Sequence, residues 1–240
     1  MPPKYLEGGN EQALATIRDP EKRKEIEWSI FNEPEEFESS FYFSGYDGAI
    51  IAEAPYTPQH IGKTLVQLAS EQGKTPFDAY CDLLIENHAN AQGVYINQNM
   101  EDICRIMAHP RVFCGCDWAE LPVYHEPEEI GGAHPRCIGT FPKRLETIRT
   151  HGLCSAEEAI CSITGRVAAA FGLEKRGIIA EGNFADLCVI DYEKIRCNAD
   201  YVHPFRRNTG IHHVVVNGKL AVENGALTNA RAGRFVAHNA

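Results

Sequence analysis

The sequence predicts an α/β chain that ends in an antiparallel β tail. Two stretches carry that expectation. Between residues 93 and 116, a strand pattern (GVYIN), a helix pattern (NMEDICRIMAHP) and a second strand pattern (VFCGC) follow one another, in about the length of a parallel strand–helix–strand crossover. From Lys175 onward the texture changes. A glycine turn leads into LCVID, and HHVVVNGKLAVENGAL reads as two strands joined by Asn217-Gly218, the strongest short hairpin signal. Residues 1–174 are therefore expected to form the α/β portion and residues 175–240 the β portion.

Taken in order, residues 10–40 are polar and acidic. Leu14, Ile17, Ile26, Trp28 and Ile30 suggest short amphipathic helices interrupted at Pro20 and Pro34. AIIAEAP (49–55) is a short strand pattern. IGKTLVQLASEQG reads as a helix that stops at Gly73. TPFDAYCDLLIENH reads as a second helix, with Thr75 as its cap and Pro76 in its first turn. The helix after GVYIN ends at Pro110. Residues 119–142 are rich in glycine and proline and read as a long loop carrying His125, His134 and Arg136. In CSAEEAICSITGRVAAAFGL, the spacing of Ser155 and Glu158 is that of a capping box opening a helix. Asp186 reads as a turn residue.

Composition narrows the class of function. The chain has 240 residues, of which 44% are apolar and 23% charged, and a net charge of −10. Such an acidic balance argues against nucleic acid or an anionic membrane as partner, because binding phosphate backbones requires a basic surface. No apolar run approaches the ~20 residues of a membrane helix, and MPPKYLEGGNEQ has no charged-then-apolar signal pattern. The nine cysteines are odd in number and sit mostly in apolar stretches. That pattern suits reduced, packed thiols and a cytoplasmic location. Cys114 and Cys116 form a CxC, which on a strand would share one face; core packing is the plainer reading.

Asp117 is the candidate that the strand pattern singles out. It follows VFCGC directly, and ligands of parallel sheets lie at the carboxyl ends of strands. Spacing alone leaves two readings open: a carboxylate that does chemistry, or one that binds backbone amides after a strand.

GIIAEGNFADLCVID followed by IHHVVVNGKLAVENGALTNARAGRFV resembles the tail of the amidohydrolase superfamily. QNMEDICRIMAHPRVFCGCDWAELP, HPRCIGTFPKRLETI and GLCSAEEAICSITGRVAAAFGL are similar to the N-acyl-D-amino-acid deacylases, or D-aminoacylases. PPKYLEGG and GKTLVQLASEQGKTPFDAYCDLLIE fit the same family, so the resemblance covers almost the whole chain. It implies the C-terminal portion of a (β/α)8 metal-dependent hydrolase barrel over residues 1–174, followed by strands of a small β-sandwich over residues 175–240. It implies a zinc-dependent amidohydrolase that removes the acyl group from N-acyl-D-amino acids. Asp117 would take a proton from metal-bound water and pass it to the leaving nitrogen; zinc lowers the pKa of its water toward ~7, within reach of a carboxylate base.

The same resemblance carries departures. The family has Ser before this Asp and Gly after it, where this chain has Cys116 and Trp118. The family's early His-x-His ligand pair has no counterpart, and the adjacent pair His212-His213 falls in the β tail. A catalytic zinc takes about three protein ligands, of which Asp117 is the one candidate contact. His125 and His134 match no ligand pattern. The expectation is a chain that does not hold zinc stoichiometrically, is inactive alone, and either pairs with a missing N-terminal barrel half or associates with itself.

For the substrate, His134 and Arg136 would line the mouth of the site, with Arg136 pairing a carboxylate bidentately. The alternative is a surface loop in which Arg136 pairs with Glu126, Glu128 or Glu129. Tyr95, on GVYIN, would either face the mouth or pack in the core. Two other functional readings stand beside these: a non-catalytic half-barrel that serves binding or assembly, and an amidohydrolase of dihydropyrimidinase-like or dipeptidase-like substrate class.

Overall fold

The computed structural model of the protein describes residues 1–118 and 134–236. His125 and most of the expected loop therefore lie outside the described residues. The fold is mixed α/β, and the described residues form two compact units. One consists of residues 1–98 with His134, the other of residues 99–118 and 135–236. The boundary expected near residue 175 falls inside the second unit.

The first unit contains α1 (Gly9–Ile17), α2 (Pro20–Asn32), α3 (Ser40–Ser44), β1 (Ala49–Glu53), α4 (Leu65–Gln72), α5 (Pro76–Glu86) and β2 (Gln92–Tyr95). Local chemistry starts its helices. The Asp19 carboxylate accepts from the Glu21 amide ahead of Pro20. The Thr64 hydroxyl accepts from the Gln67 amide at 3.2 Å while the Gln67 side chain accepts from the Thr64 amide at 2.9 Å, a reciprocal capping box. The Thr75 hydroxyl accepts from the Asp78 amide at 3.1 Å, with Pro76 beside it. Ile17, Ile26, Ile30, Phe41, Ile51, Leu68, Phe77 and Leu83 are buried together and form the core. Over them, Arg23 bridges Asp78 at 3.0 Å and Asp82 at 2.6 Å, and Lys74 meets Asp82 at 2.7 Å.

The expected parallel crossover is not what this chain forms. β2 pairs antiparallel with β1, with Ala49 opposite Tyr95 and Ile51 opposite Gly93. VFCGC is not a strand. A strand persists only where a neighbour takes its N–H and C=O groups, and among the described residues no ladder forms beside 112–116. No closed barrel is present among the described residues; the sheets are one of two strands and one of four.

The second unit opens with α6 (Met100–Ala108), capped by Asn99, whose side chain accepts from the Asp102 amide at 2.8 Å. Then come α7 (Arg136–His151), α8 (Ala156–Cys161) and α9 (Gly165–Ala170). The Ser155 hydroxyl accepts from the Glu158 amide at 3.2 Å and starts α8, while the Glu158 side chain pairs with Arg166, so only the serine half of the expected capping box forms. β3 (Leu187–Ile190), β4 (Ile211–Val216), β5 (Lys219–Glu223) and β6 (Ala226–Leu227) form an antiparallel sheet in that order. Asn217 and Gly218 both take positive φ, 47° and 78°, the hairpin turn their identities favour. Asp186 is a turn anchor: it accepts from the Asn217 amide at 2.7 Å and pairs with Arg176. Leu145 and Ile148 of α7, Ala159 of α8 and Ile195 form the core, with Ile190, Tyr192 and Ile211 packed against them.

The stretch HPRCIGTFP is another correction. It lies largely inside α7, with Pro142 in the helix interior. Proline has no N–H to donate to the carbonyl four residues earlier, that of Ile138. Asn208 fills that place, donating its side-chain amide to Ile138 O at 2.8 Å. Among the described residues no helix is long and apolar enough to cross a membrane.

Candidate functional site

The candidate site lies in the second unit, where the segment after α6 approaches the start of α7. Arg144, on α7, holds that segment. This residue is 4% exposed, unusual for a cation. Nε donates to Ser162 Oγ at 3.1 Å, and Nη2 lies 3.4 Å from Met107 O and 3.5 Å from Val112 O. The end of α6 and the start of the stretch 112–118 are thus tied to α7 by one buried guanidinium. Cys114 sits half-buried in this stretch, and burial pushes its thiol above the ordinary range, which keeps it a neutral packing group.

Asp117 follows, with φ at +47° and its side chain 89% exposed. Aspartate is among the few residues that visit this left-handed region readily. The turn replaces the strand end expected here. It aims the carboxylate at the first residue of α7: Oδ2 stands 3.1 Å from Arg136 Nη1. The Arg136 guanidinium also lies over the Trp118 ring, 5.7 Å from its centroid, within cation–π range. Two residues that spacing and resemblance single out, Asp117 and Arg136, are therefore in contact, and Trp118 lines the arginine. At this exposure the ion pair contributes about 0–1 kcal/mol to stability, so its importance is positional.

His134 is half-buried, one residue ahead of Pro135. Tyr95 belongs to the first unit. Its ring packs edge-on against Phe41 at 5.4 Å, it lines an apolar cavity of about 80 Å³ with Tyr80 and Leu83, and burial raises its hydroxyl pKa. His213, of the adjacent pair, faces the hairpin, its Nδ1 3.4 Å from the Asn224 amide. Arg144 carried no signal in the sequence: an arginine in a helix pattern reads as a solvated face, and its carbonyl partners lie 37 and 32 residues away.

Among the described residues no three His, Cys, Asp or Glu side chains come together as a metal-binding group. Asp117 has its carboxylate turned to Arg136 and no second donor beside it in such a group, so the described residues do not fit a zinc site by themselves.

Residues 97–222 match the amidohydrolase family. The chain belongs to that family. It is 36% identical over 184 residues to the D-aminoacylase of Alcaligenes xylosoxydans xylosoxydans, an alignment covering 76% of this chain and 35% of that one. This amidohydrolase-family chain thus spans about a third of the length of that relative. Its fold matches a D-aminoacylase with a binuclear metal centre at a TM-score of 0.63 and 33% identity, over 78% of this chain and 37% of the other. An N-acyl-D-glutamate deacylase from Bordetella bronchiseptica, solved with zinc and a phosphonate inhibitor, matches at a TM-score of 0.60 and 24% identity, over 81% and 39%. That last likeness is one of fold alone.

Proposed function

We propose that this chain is the C-terminal, proton-handling portion of a metal-dependent amidohydrolase barrel that cleaves the amide of N-acyl-D-amino acids. In this reading Asp117 is the general acid and base. Arg136 holds the substrate carboxylate, and the zinc ligands come from a polypeptide that completes the site.

One observation supports it above the rest. In an N-acyl amino acid, the amide nitrogen and the carboxylate are attached to the same carbon. The group that protonates the nitrogen and the group that anchors the carboxylate must therefore stand side by side. Asp117 and Arg136 do, at 3.1 Å. Arginine is suited to the anchoring role because its planar fork matches a carboxylate.

The test is a chimera in which this chain replaces the matching third of the Alcaligenes D-aminoacylase. The chimera is expected to deacylate N-acetyl-D-amino acids. Asp117→Asn, which keeps shape but cannot accept the proton, is expected to lower kcat by ~10²-fold or more. An Asp117→Asn chimera that turns over like its parent would remove Asp117 from the chemistry. A folded but inactive parent would favour the non-catalytic reading of the chain.

A further inference from the structure

A second concave feature lies in the long connection between β3 and β4. It is a cavity of about 590 Å³ lined by Arg196, Cys197, Asn198, Asp200, Arg206 and Arg207. That volume falls in the range of small-molecule sites, ~300–1,000 Å³. Three arginines line it with one aspartate, and Glu146 stands behind Arg196 and Cys197, in a chain whose net charge is −10.

The connection is pinned along its length. Arg196 and Thr209 exchange backbone hydrogen bonds, N to O at 3.2 and 3.1 Å. The Asn198 side chain donates to Arg207 O at 2.9 Å, and the Cys197 amide donates to Glu146 at 3.4 Å. Asp200 is already engaged: one carboxylate oxygen accepts from the Val202 and His203 amides, and the other faces Arg206 at 3.2 Å. Asp200 thus neutralises Arg206. Arg196 pairs with Glu146 at 3.6 Å, and among the described residues the Arg207 side chain has no ion-pair partner. Arg207 is thus left without a carboxylate, and Arg196 with one long contact, beside a pinned stretch of backbone.

We propose that this cavity binds a phosphate-bearing small molecule. A dianion would take up the unpaired charge of Arg207 and compete with Glu146 for Arg196, and each fork can give a phosphate two parallel hydrogen bonds. The pinned backbone means that little ordering is lost on binding. The acidic remainder of the chain repels a long polyanion while the local field admits a small one. Free phosphate and a phosphate monoester present the same group, so the site accepts either.

Calorimetric titration of the full chain at low ionic strength, with inorganic phosphate and separately with glycerol 3-phosphate, tests this. One saturable site per chain is expected. Arg207→Gln, whose side chain makes no hydrogen bond that the fold requires, should weaken binding by about tenfold or more. Arg105→Gln, which removes the same charge from α6, should leave it unchanged. Tighter binding of the monoester assigns an organic phosphate, and equal binding assigns free phosphate; either upholds the site. No saturation by either probe up to ~10 mM, or equal weakening by Arg207→Gln and Arg105→Gln, would overturn it.

Discussion

Asn208 donates its side-chain amide to the carbonyl of Ile138 at 2.8 Å, replacing the helical N–H that Pro142 cannot supply. A residue 70 positions away thereby completes a helix that its own sequence leaves broken. Asn208→Ala is expected to cost ~1–3 kcal/mol, because it leaves a part-buried carbonyl without a donor. In a Pro142→Ala background the helix regains its own N–H, and the same substitution should cost much less. Urea unfolding of the four proteins measures the coupling. Equal costs in both backgrounds would mean that Asn208 acts through some other contact.

Arg144 should act as the clamp of the segment that carries Asp117. Arg144→Met keeps bulk and apolar stem but frees Met107 O, Val112 O and Ser162 Oγ. Amide exchange over residues 112–118 is expected to quicken, and stability to fall by ~1–3 kcal/mol. Unchanged exchange in that stretch would show that Arg144 only fills space.

Acid stability should report on Asp82. Burial raises its pKa, but the hydrogen bonds from Lys74 and Arg23 outweigh burial and bring it below the ordinary value. A depressed carboxylate contributes stability that is complete above its unfolded pKa, near ~3.9, and is lost as pH falls through the lower folded value. The loss is therefore expected below about pH 4. Asp82→Asn should lower stability at neutral pH and flatten the decline on acidification. A decline of the same steepness in the variant would place the acid-sensitive group elsewhere.

Association should be visible in the isolated chain. Among the described residues β3 is an edge of its sheet, and Leu187 and Val189 on it are exposed, Val189 by 52%. An open apolar edge invites pairing, with another copy or with a polypeptide that completes the fold. Size-exclusion chromatography with light scattering should find species larger than the 26.7 kDa chain. Val189→Lys should shift them toward monomer. A sharp monomer for the unsubstituted chain would show that this edge is not used.

Much of the local structure was legible in the sequence. Thr75 and Pro76 start α5, Gly73 stops α4, Ser155 starts α8, and Asn217-Gly218 turns the β4–β5 hairpin. Asp117 and Arg136 could be named as candidates from residue type, position and resemblance. Their contact could not, because the intervening residues 118–135 carry no spacing rule that would bring their ends together.

The sequence by itself determined the features whose hydrogen bonds close within a few residues: caps, helix stops and the tight turn, each set by one or two side chains. Tertiary structure decided those that depend on distant partners. VFCGC has the composition of a strand but no neighbour beside it among the described residues, so it forms no strand, and its following Asp117 turns toward Arg136. β2 finds β1 and pairs antiparallel. Pro142 stays inside α7 because Asn208 stands at Ile138. The physical reason is the same in each case: a backbone polar group must be satisfied, and a helix finds its partner four residues away, whereas a strand or an interrupted helix finds it wherever the fold happens to place one.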